Sequence, residues 1–214
     1  ALVPHYFNED QAKEYLYKQL GIAALGLIAD CMPLTEENRI MTKHGLKSLE
    51  TSNHPGINAL LESAGVANQK ITSITIGFYL GPRLNAAGRL DTANHAFEVL
   101  LGNAEKVSTL NKLNTRRQKM VKEFVDEAKS EIENMSEISN IIVVSSPNWH
   151  VGALGLIAGK ICDHFFRPAI VMQERDDKCI ASTRSLNDFD ITSFLRKEAG
   201  DLFTAFGGHK LAGG

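Results

Sequence analysis

The run Ile141-Ile-Val-Val-Ser-Ser-Pro-Asn-Trp-His150, continued by Val151-Gly-Ala-Leu-Gly-Leu-Ile-Ala-Gly-Lys160, decides the fold. Consecutive β-branched residues bounded by Ser and Pro read as a buried strand over Ile141–Ser145. The apolar, glycine-punctuated stretch from Gly152 to Phe165 reads as a helix. Pro168–Gln173 and Cys179–Thr183 read as two further strands, and Ile191–Ala199 as a helix. This β-α-β-β-α order describes a small α/β domain.

Before it lies the longest periodic segment, from about Ala104 to Met135. Val107, Leu110, Leu113, Met120, Phe124, Ala128 and Ile132 recur at threes and fours. Roughly 30 residues of helix span about 45 Å, a length suited to joining two domains. Further back the pattern is helical. A helix over residues 9 to 29 has Asp10 as its cap candidate and stops at Asp30-Cys31-Met32-Pro33, because Pro33 disfavours the α region for Met32. Thr35 can cap a second helix, and Pro55 opens a third that Gly65 closes. Asp91–Leu101 reads as a helix capped by Asp91, with Ala93, Ala96, Phe97, Leu100 and Leu101 facing inward. Ile71–Leu80 is ambiguous on its residues: β-branching favours a strand, while Thr72 and Ser73 could cap a helix.

Composition narrows the functional classes. The 214 residues are 43% hydrophobic and 22% charged, with net charge −2, which suits a globular chain and gives no global argument for a nucleic-acid partner. No apolar run is long enough for a membrane span. Cys31, Cys162 and Cys179 are odd in number and widely spaced, without a CxxC pair, which suits a reducing, cytoplasmic setting. The chain opens on Ala1-Leu2-Val3-Pro4 without an initiator Met and stops at Gly213-Gly214, so it reads as a piece of a longer protein.

Four places could carry chemistry, each with a plainer alternative. In Gly81-Pro-Arg-Leu-Asn-Ala-Ala-Gly-Arg89, Arg83 and Arg89 flank small residues and Asn85. Guanidinium forks fit phosphate oxygens; the plainer reading is a close helix-packing turn with exposed arginines. In Phe206-Gly-Gly-His-Lys-Leu-Ala-Gly-Gly214, glycine backbone N–H groups with His209 and Lys210 could hold an anion, or form a flexible turn. Asn148-Trp149-His150 sits where a strand hands over to a helix, the usual ligand edge of α/β folds, although Trp149 could equally be a core anchor. Ser182-Thr-Arg-Ser185 ends a strand with hydroxyls and one guanidinium. Asp30 could be a metal ligand or a helix cap, and no neighbouring His or second carboxylate completes a site.

Taken in order, Ile28-Ala-Asp-Cys-Met-Pro-Leu34, Gly81-Pro-Arg-Leu-Asn-Ala-Ala-Gly-Arg-Leu90, Trp149-His150 with Gly152 and Gly155, Ser182-x-Arg184-Ser185 and Phe206-Gly-Gly-His-Lys resemble the RecJ-like branch of the DHH phosphoesterase superfamily. The resemblance runs from about Leu20 to the end. It implies an α/β architecture: residues 1–103 as the helical back of a DHH catalytic domain, 104–136 as a connector helix, and 137–214 as a truncated DHHA1 substrate-binding domain. It implies a helix over Ile71–Leu80. It implies a single-strand-specific 5′→3′ DNA exonuclease of DNA repair and recombination, working with a Mn²⁺ or Mg²⁺ pair.

Residue by residue, the resemblance makes Asp30 a catalytic metal ligand. Arg83, Asn85 and Arg89 would face the cleft. Trp149, His150, Ser182, Arg184, Gly207, Gly208 and His209 would hold the phosphate or terminal nucleotide of single-stranded nucleic acid, with DNA the expected form. The superfamily's Asp-x-Asp motif, which lies upstream of these strings, and its Asp-His-His motif are absent ahead of Asp30, so the other metal ligands are expected outside the chain, and the chain alone is expected to be inactive. Two alternatives stay open: a DHH-type phosphodiesterase of short oligonucleotides or cyclic dinucleotides, and an inactive nucleic-acid-binding module.

The long helix adds a charge pattern. Lys106, Lys112, Arg116, Arg117, Lys119 and Lys122 come first with no acid between them, and acids dominate from Glu123 to Glu133. Either this is a solvated face, or Lys112, Arg116 and Lys119 track a strand.

Overall fold

The computed structural model describes residues 8–214 and divides them into two units, one running to Thr115 and the other from Arg116. Ala1–Pro4, and with them the start of the expected catalytic-domain segment, lie outside the described residues.

The first unit is helical. Helix α1 (Glu9–Ala29) begins at Asn8, not Asp10: the Asn8 side chain accepts from Gln11 N–H, and the Gln11 side chain accepts from Asn8 N–H, closing a capping box. It ends in a Schellman turn. Cys31 N–H donates to Ile28 O and Met32 N–H to Leu27 O, which forces Cys31 to φ 54°, a conformation usually left to glycine. Helix α2 (Glu36–Glu50) packs tightly on α1, because Gly45 and Gly21 leave room: a Cβ on Gly45 would lie 2.2 Å from Leu20 O.

Helix α3 (Pro55–Ser63) is capped by His54, whose Nδ1 accepts from Ile57 N–H while its Nε2 meets Leu100 O at 2.9 Å. That pairing fixes the proton on Nε2.

The ambiguous stretch is helical from Ser73 onward. A π-helical segment (Thr75–Leu80) runs without a break into α4 (Gly81–Leu90), its start fastened by Thr72 Oγ1 accepting from Thr75 N–H. Tertiary packing overrides its β-branched residues, since Ile71, Ile76 and Leu80 are all buried in the first core.

Helix α5 (Asn94–Leu100) departs from expectation. Thr92 Oγ1, not Asp91, accepts from Asn94 N–H, and Asp91 instead terminates α4. Val99 is the buried anchor, while Phe97 (59% exposed) and Leu101 (71%) face outward.

A 3₁₀ turn (Ala104–Lys106) leads into α6 (Val107–Glu133), the long helix. It supplies Val107, Leu110 and Leu113 to the first core and Val121, Val125, Ala128 and Ile132 to the second. In the second half the buried stripe is therefore shifted by one residue, leaving Met120 and Phe124 half-buried. No described helix is long and apolar enough to cross a membrane.

The second unit is the α/β domain. Strand β1 (Ile142–Ser146) leads through His150 into α7 (Val151–Phe165), then β2 (Ala169–Arg175), β3 (Lys178–Arg184), α8 (Ile191–Glu198) and two short strands, β4 (Gly208–His209) and β5 (Ala212–Gly213). The sheet order is β1-β2-β3-β5-β4, with β1 and β2 parallel and the rest antiparallel. The β1 residues Ile142 and Val144 and the β2 residues Ala169 and Val171 share one core with Leu154, Ile157 and Ile161 of α7 and the second half of α6.

On its residues alone the glycine-rich end reads as an anion-holding backbone or a flexible turn. It is a hairpin of two-residue strands that extends the sheet, closed further on by reciprocal bonds between Gly207 and Gly214. Such short strands leave no periodic signature in sequence.

Candidate nucleic-acid interface

In the second unit the sheet register assembles the site. Arg184 pairs with Ala212, and Ala212 pairs with His209. Residues directly opposite one another across strands share a face, so Arg184, Ala212 and His209 form one row. Two strand spacings put the outer strands about 9.5 Å apart, with only a methyl group between them. Ser182, two residues before Arg184, stands on the same face.

Helix α7 crosses this face at a glycine. A Cβ on Gly155 would fall 3.0 Å from Arg184 Nη2 and 3.2 Å from Ser182 Oγ. The guanidinium is oriented by its Nη1 donating to Thr183 O at 2.7 Å and to Ser182 Oγ at 3.4 Å. His209 is exposed, and its carbonyl accepts from Thr192 Oγ1 at 2.6 Å, tying the hairpin to α8.

Gly208 makes this turn possible. It has φ 153°, and a Cβ there would lie 2.3 Å from Ala212 O and 2.5 Å from Gly213 Cα. Gly207 is exposed and has open space where a Cβ would be.

The Trp-His pair divides its roles. Trp149 is 0% exposed and belongs to the core, so its indole has no surface to offer a strand. This corrects the expectation of direct substrate contact. His150 is exposed and caps α7, its Nδ1 accepting from Gly152 N–H at 3.1 Å.

Burial pushes the nearby Cys162 thiol up, with Asp163 adding to the rise and Arg184 opposing it. Cys162 is therefore a packing residue. Cys31 and Cys179 are exposed thiols.

In the first unit, Gly81 brings two motifs together: a Cβ there would meet Ala29 Cβ at 3.3 Å, one residue before Asp30. Asp30 is exposed at the end of α1. Its carboxylate makes no hydrogen bond or ion pair among the described residues, and α1 is closed by backbone bonds alone. A negative charge at a helix C-terminus is mildly unfavourable, so Asp30 is not a side-chain cap.

Arg83 is half-buried and held by two hydrogen bonds. Its Nε donates to Asn111 Oδ1 at 3.0 Å and its Nη1 to Tyr79 O at 2.6 Å, and partial burial pushes its guanidinium down from the usual value. Asn85 and Arg89, spaced i and i+4, share a different face of α4, where Asn85 is exposed and Arg89 half-buried.

Sequence reasoning missed Asn111, 28 residues from the arginine it holds, and Ala212, whose small size keeps the row open. Only the Lys-Leu-Ala-Gly-Gly run after His209 hinted at the latter.

Among the described residues, no three His, Cys, Asp or Glu side chains converge. The residues present do not by themselves make a metal site.

Comparison with known proteins finds relatives over most of the chain. Residues 139–214 match the DHHA1 domain model. The chain is 38% identical over 202 residues to the single-stranded-DNA-specific exonuclease RecJ of Bacillus subtilis, covering 91% of this chain and 26% of that protein. It is 35% identical to RecJ of Salmonella typhimurium, covering 98% of this chain and 39% of that protein. The crystal structure of RecJ from Thermus thermophilus in complex with Mn²⁺ matches with a TM-score of 0.80 at 30% identity, over 92% of this chain and 30% of that one. The chain thus spans between 26% and 39% of the length of the curated relatives it matches.

Proposed function

We propose, from the premise that this chain is a RecJ homologue with a DHHA1 domain at residues 139–214, that it is part of a metal-dependent exonuclease that degrades single-stranded DNA from the 5′ end. In this reading residues 1–103 are the back of the DHH catalytic domain, 104–136 the connector, and 137–214 the module that seats the strand end. A cytoplasmic location goes with it.

The observation that carries the reading is the row Arg184–Ala212–His209 beside Ser182 and Gly155. A phosphate over Ala212 would meet a guanidinium on one side and an imidazole on the other. The Ser182 hydroxyl lies on the Arg184 side, and the small Ala212 and Gly155 leave room for it. Charge-assisted bonds of this kind are short and orienting. His150 and the glycines Gly207 and Gly208 shape the rim, and Trp149 anchors the loop from below.

In the first unit Asn85 and Arg89 would approach the strand, while Arg83 positions α4 against α6. Asp30 would give one carboxylate to a Mn²⁺ or Mg²⁺ centre whose other ligands come from beyond this chain. The cations would supply the hydrolytic chemistry; the residues described here bind and orient.

The test is fluorescence anisotropy with oligothymidylate carrying a 5′-phosphate or a 5′-hydroxyl. The reading requires tighter binding of the phosphorylated strand and loss of that preference in Arg184→Ala. Equal affinity for both ends would refute it.

A further inference from the structure

The second unit carries a groove that the strand-end site does not use. It lies between α6 and α7 and has a volume of about 540 Å³. Its floor is aliphatic, made by Val121 and Val125 of α6 and Leu156 of α7. Its walls are basic: Arg117, Lys122 and Lys129 on one side and Lys160 on the other. Asp126 is the one acid in the lining.

The spacing explains the shape. Arg117, Val121, Val125 and Lys129 recur every four residues along one face of α6, and Leu156 and Lys160 do the same on α7. From Arg117 to Lys129 the groove follows about 18 Å of helix. Lys129 bridges the two helices, its ammonium donating to His164 Nδ1 at 3.1 Å. Lys122 and Lys160 are exposed and make no ion pair with any described carboxylate. The lining holds four cations and one carboxylate, a basic balance that the overall net charge of −2 does not show.

We infer that this groove is a docking site for an acidic peptide segment of a partner protein, one that presents carboxylates to both rims and one or two aliphatic side chains to the floor. The floor decides between polyanions. A single-stranded nucleic acid held without sequence preference uses aromatic rings for its bases, and no aromatic side chain lines this groove. An aliphatic floor flanked by two helices instead suits the apolar anchors of a peptide laid between them, with the rim charges setting partner choice and association rate.

The inference is independent of the strand-end reading. The experiment is anisotropy of a fluorescein-labelled dodecapeptide of alternating Asp and Glu interrupted by two leucines, titrated with the whole chain. Saturable binding is expected, weakening as salt rises. The exposed double variant Lys122→Glu/Lys160→Glu should weaken it by about tenfold or more, as two rim pairs become two repulsions. Replacing both peptide leucines by serine should also weaken it several-fold, and Arg184→Ala should leave it unchanged. Absence of saturable binding, or insensitivity to the leucines, overturns the proposal. So does displacement of the peptide by unphosphorylated oligothymidylate whose own binding is lost in the double variant, which would make the groove a nucleic-acid track.

Discussion

Arg184 and His209 lie in one row of the sheet, separated only by Ala212, although 25 residues separate them in sequence. The row exists because the glycine-rich end folds back as a hairpin along β3. If it seats a phosphate, removing one charge-assisted bond costs about 1.5–3 kcal/mol. Arg184→Ala should therefore weaken binding of a 5′-phosphorylated oligonucleotide about tenfold or more, and His209→Ala should act in the same direction. Titration of both variants against the same oligonucleotide checks this; unchanged affinities would return both side chains to solvent.

Gly155→Ala offers a subtler probe of the same seat. The new methyl would lie 3.0 Å from the Arg184 guanidinium, a flexible end that can shift by a few tenths of an ångström. Alanine is the better helix former by about 1 kcal/mol. The variant should melt no lower than the parent yet bind the phosphorylated strand several-fold more weakly. A drop in melting temperature would show that the contact is structural.

Gly208→Ala should behave in the opposite way. With φ at 153° and Ala212 O only 2.3 Å from the new Cβ, the hairpin cannot close. A cost of about 2–3 kcal/mol is expected, larger than two-residue strands can absorb. Amide exchange at Gly207 and Gly214, which bond each other reciprocally at 3.0 Å, reads it out: protection should vanish.

Asp30 does no capping work, so Asp30→Ala should leave the stability of this chain within about 0.5 kcal/mol of the parent, the usual range for surface changes. If the proposed function holds, Asp30→Ala in a full-length exonuclease carrying this segment should cut strand cleavage far more than strand binding. The present chain, with no cluster of three metal-ligating side chains among its described residues, should not cleave single-stranded oligonucleotide in Mn²⁺. Chelator-sensitive cleavage by the purified chain would count against this.

The basic stretch of α6 is testable by salt. Lys112, Arg116 and Lys119 are all exposed, and Lys119 lies 3.8 Å from Glu123. If they track a strand, neutralising all three in the longer protein lowers the slope of log affinity against log salt by about 0.7 for each phosphate they no longer neutralise. Lys119, already facing a carboxylate, should contribute least. An unchanged slope leaves them as solvated charge.

Much of this molecule is legible in order along its chain. The helical and strand periods revealed the α/β domain, and the apolar repeat revealed the long helix, because those signals are local and set by which side chains must leave water. The motif strings pointed to Asp30, Arg89, Arg184 and His209 by type. Tertiary structure alone decided the rest. On its residues alone Ile71–Leu80 could be strand or helix, and the burial of Ile76 and Leu80 in a core settles it as the helix that the motif resemblance implied. Phe97 and Leu101 face out, where periodicity put them inward, because Val99 takes the buried position. Trp149 packs inside, where it cannot touch a strand. Arg83 is held by Asn111, and Arg184 meets His209 only through the register of a five-stranded sheet. Side-chain chemistry sets what each residue can donate, accept or bury; which of them converge depends on contacts between segments far apart in the chain, whose relative placement no local period encodes.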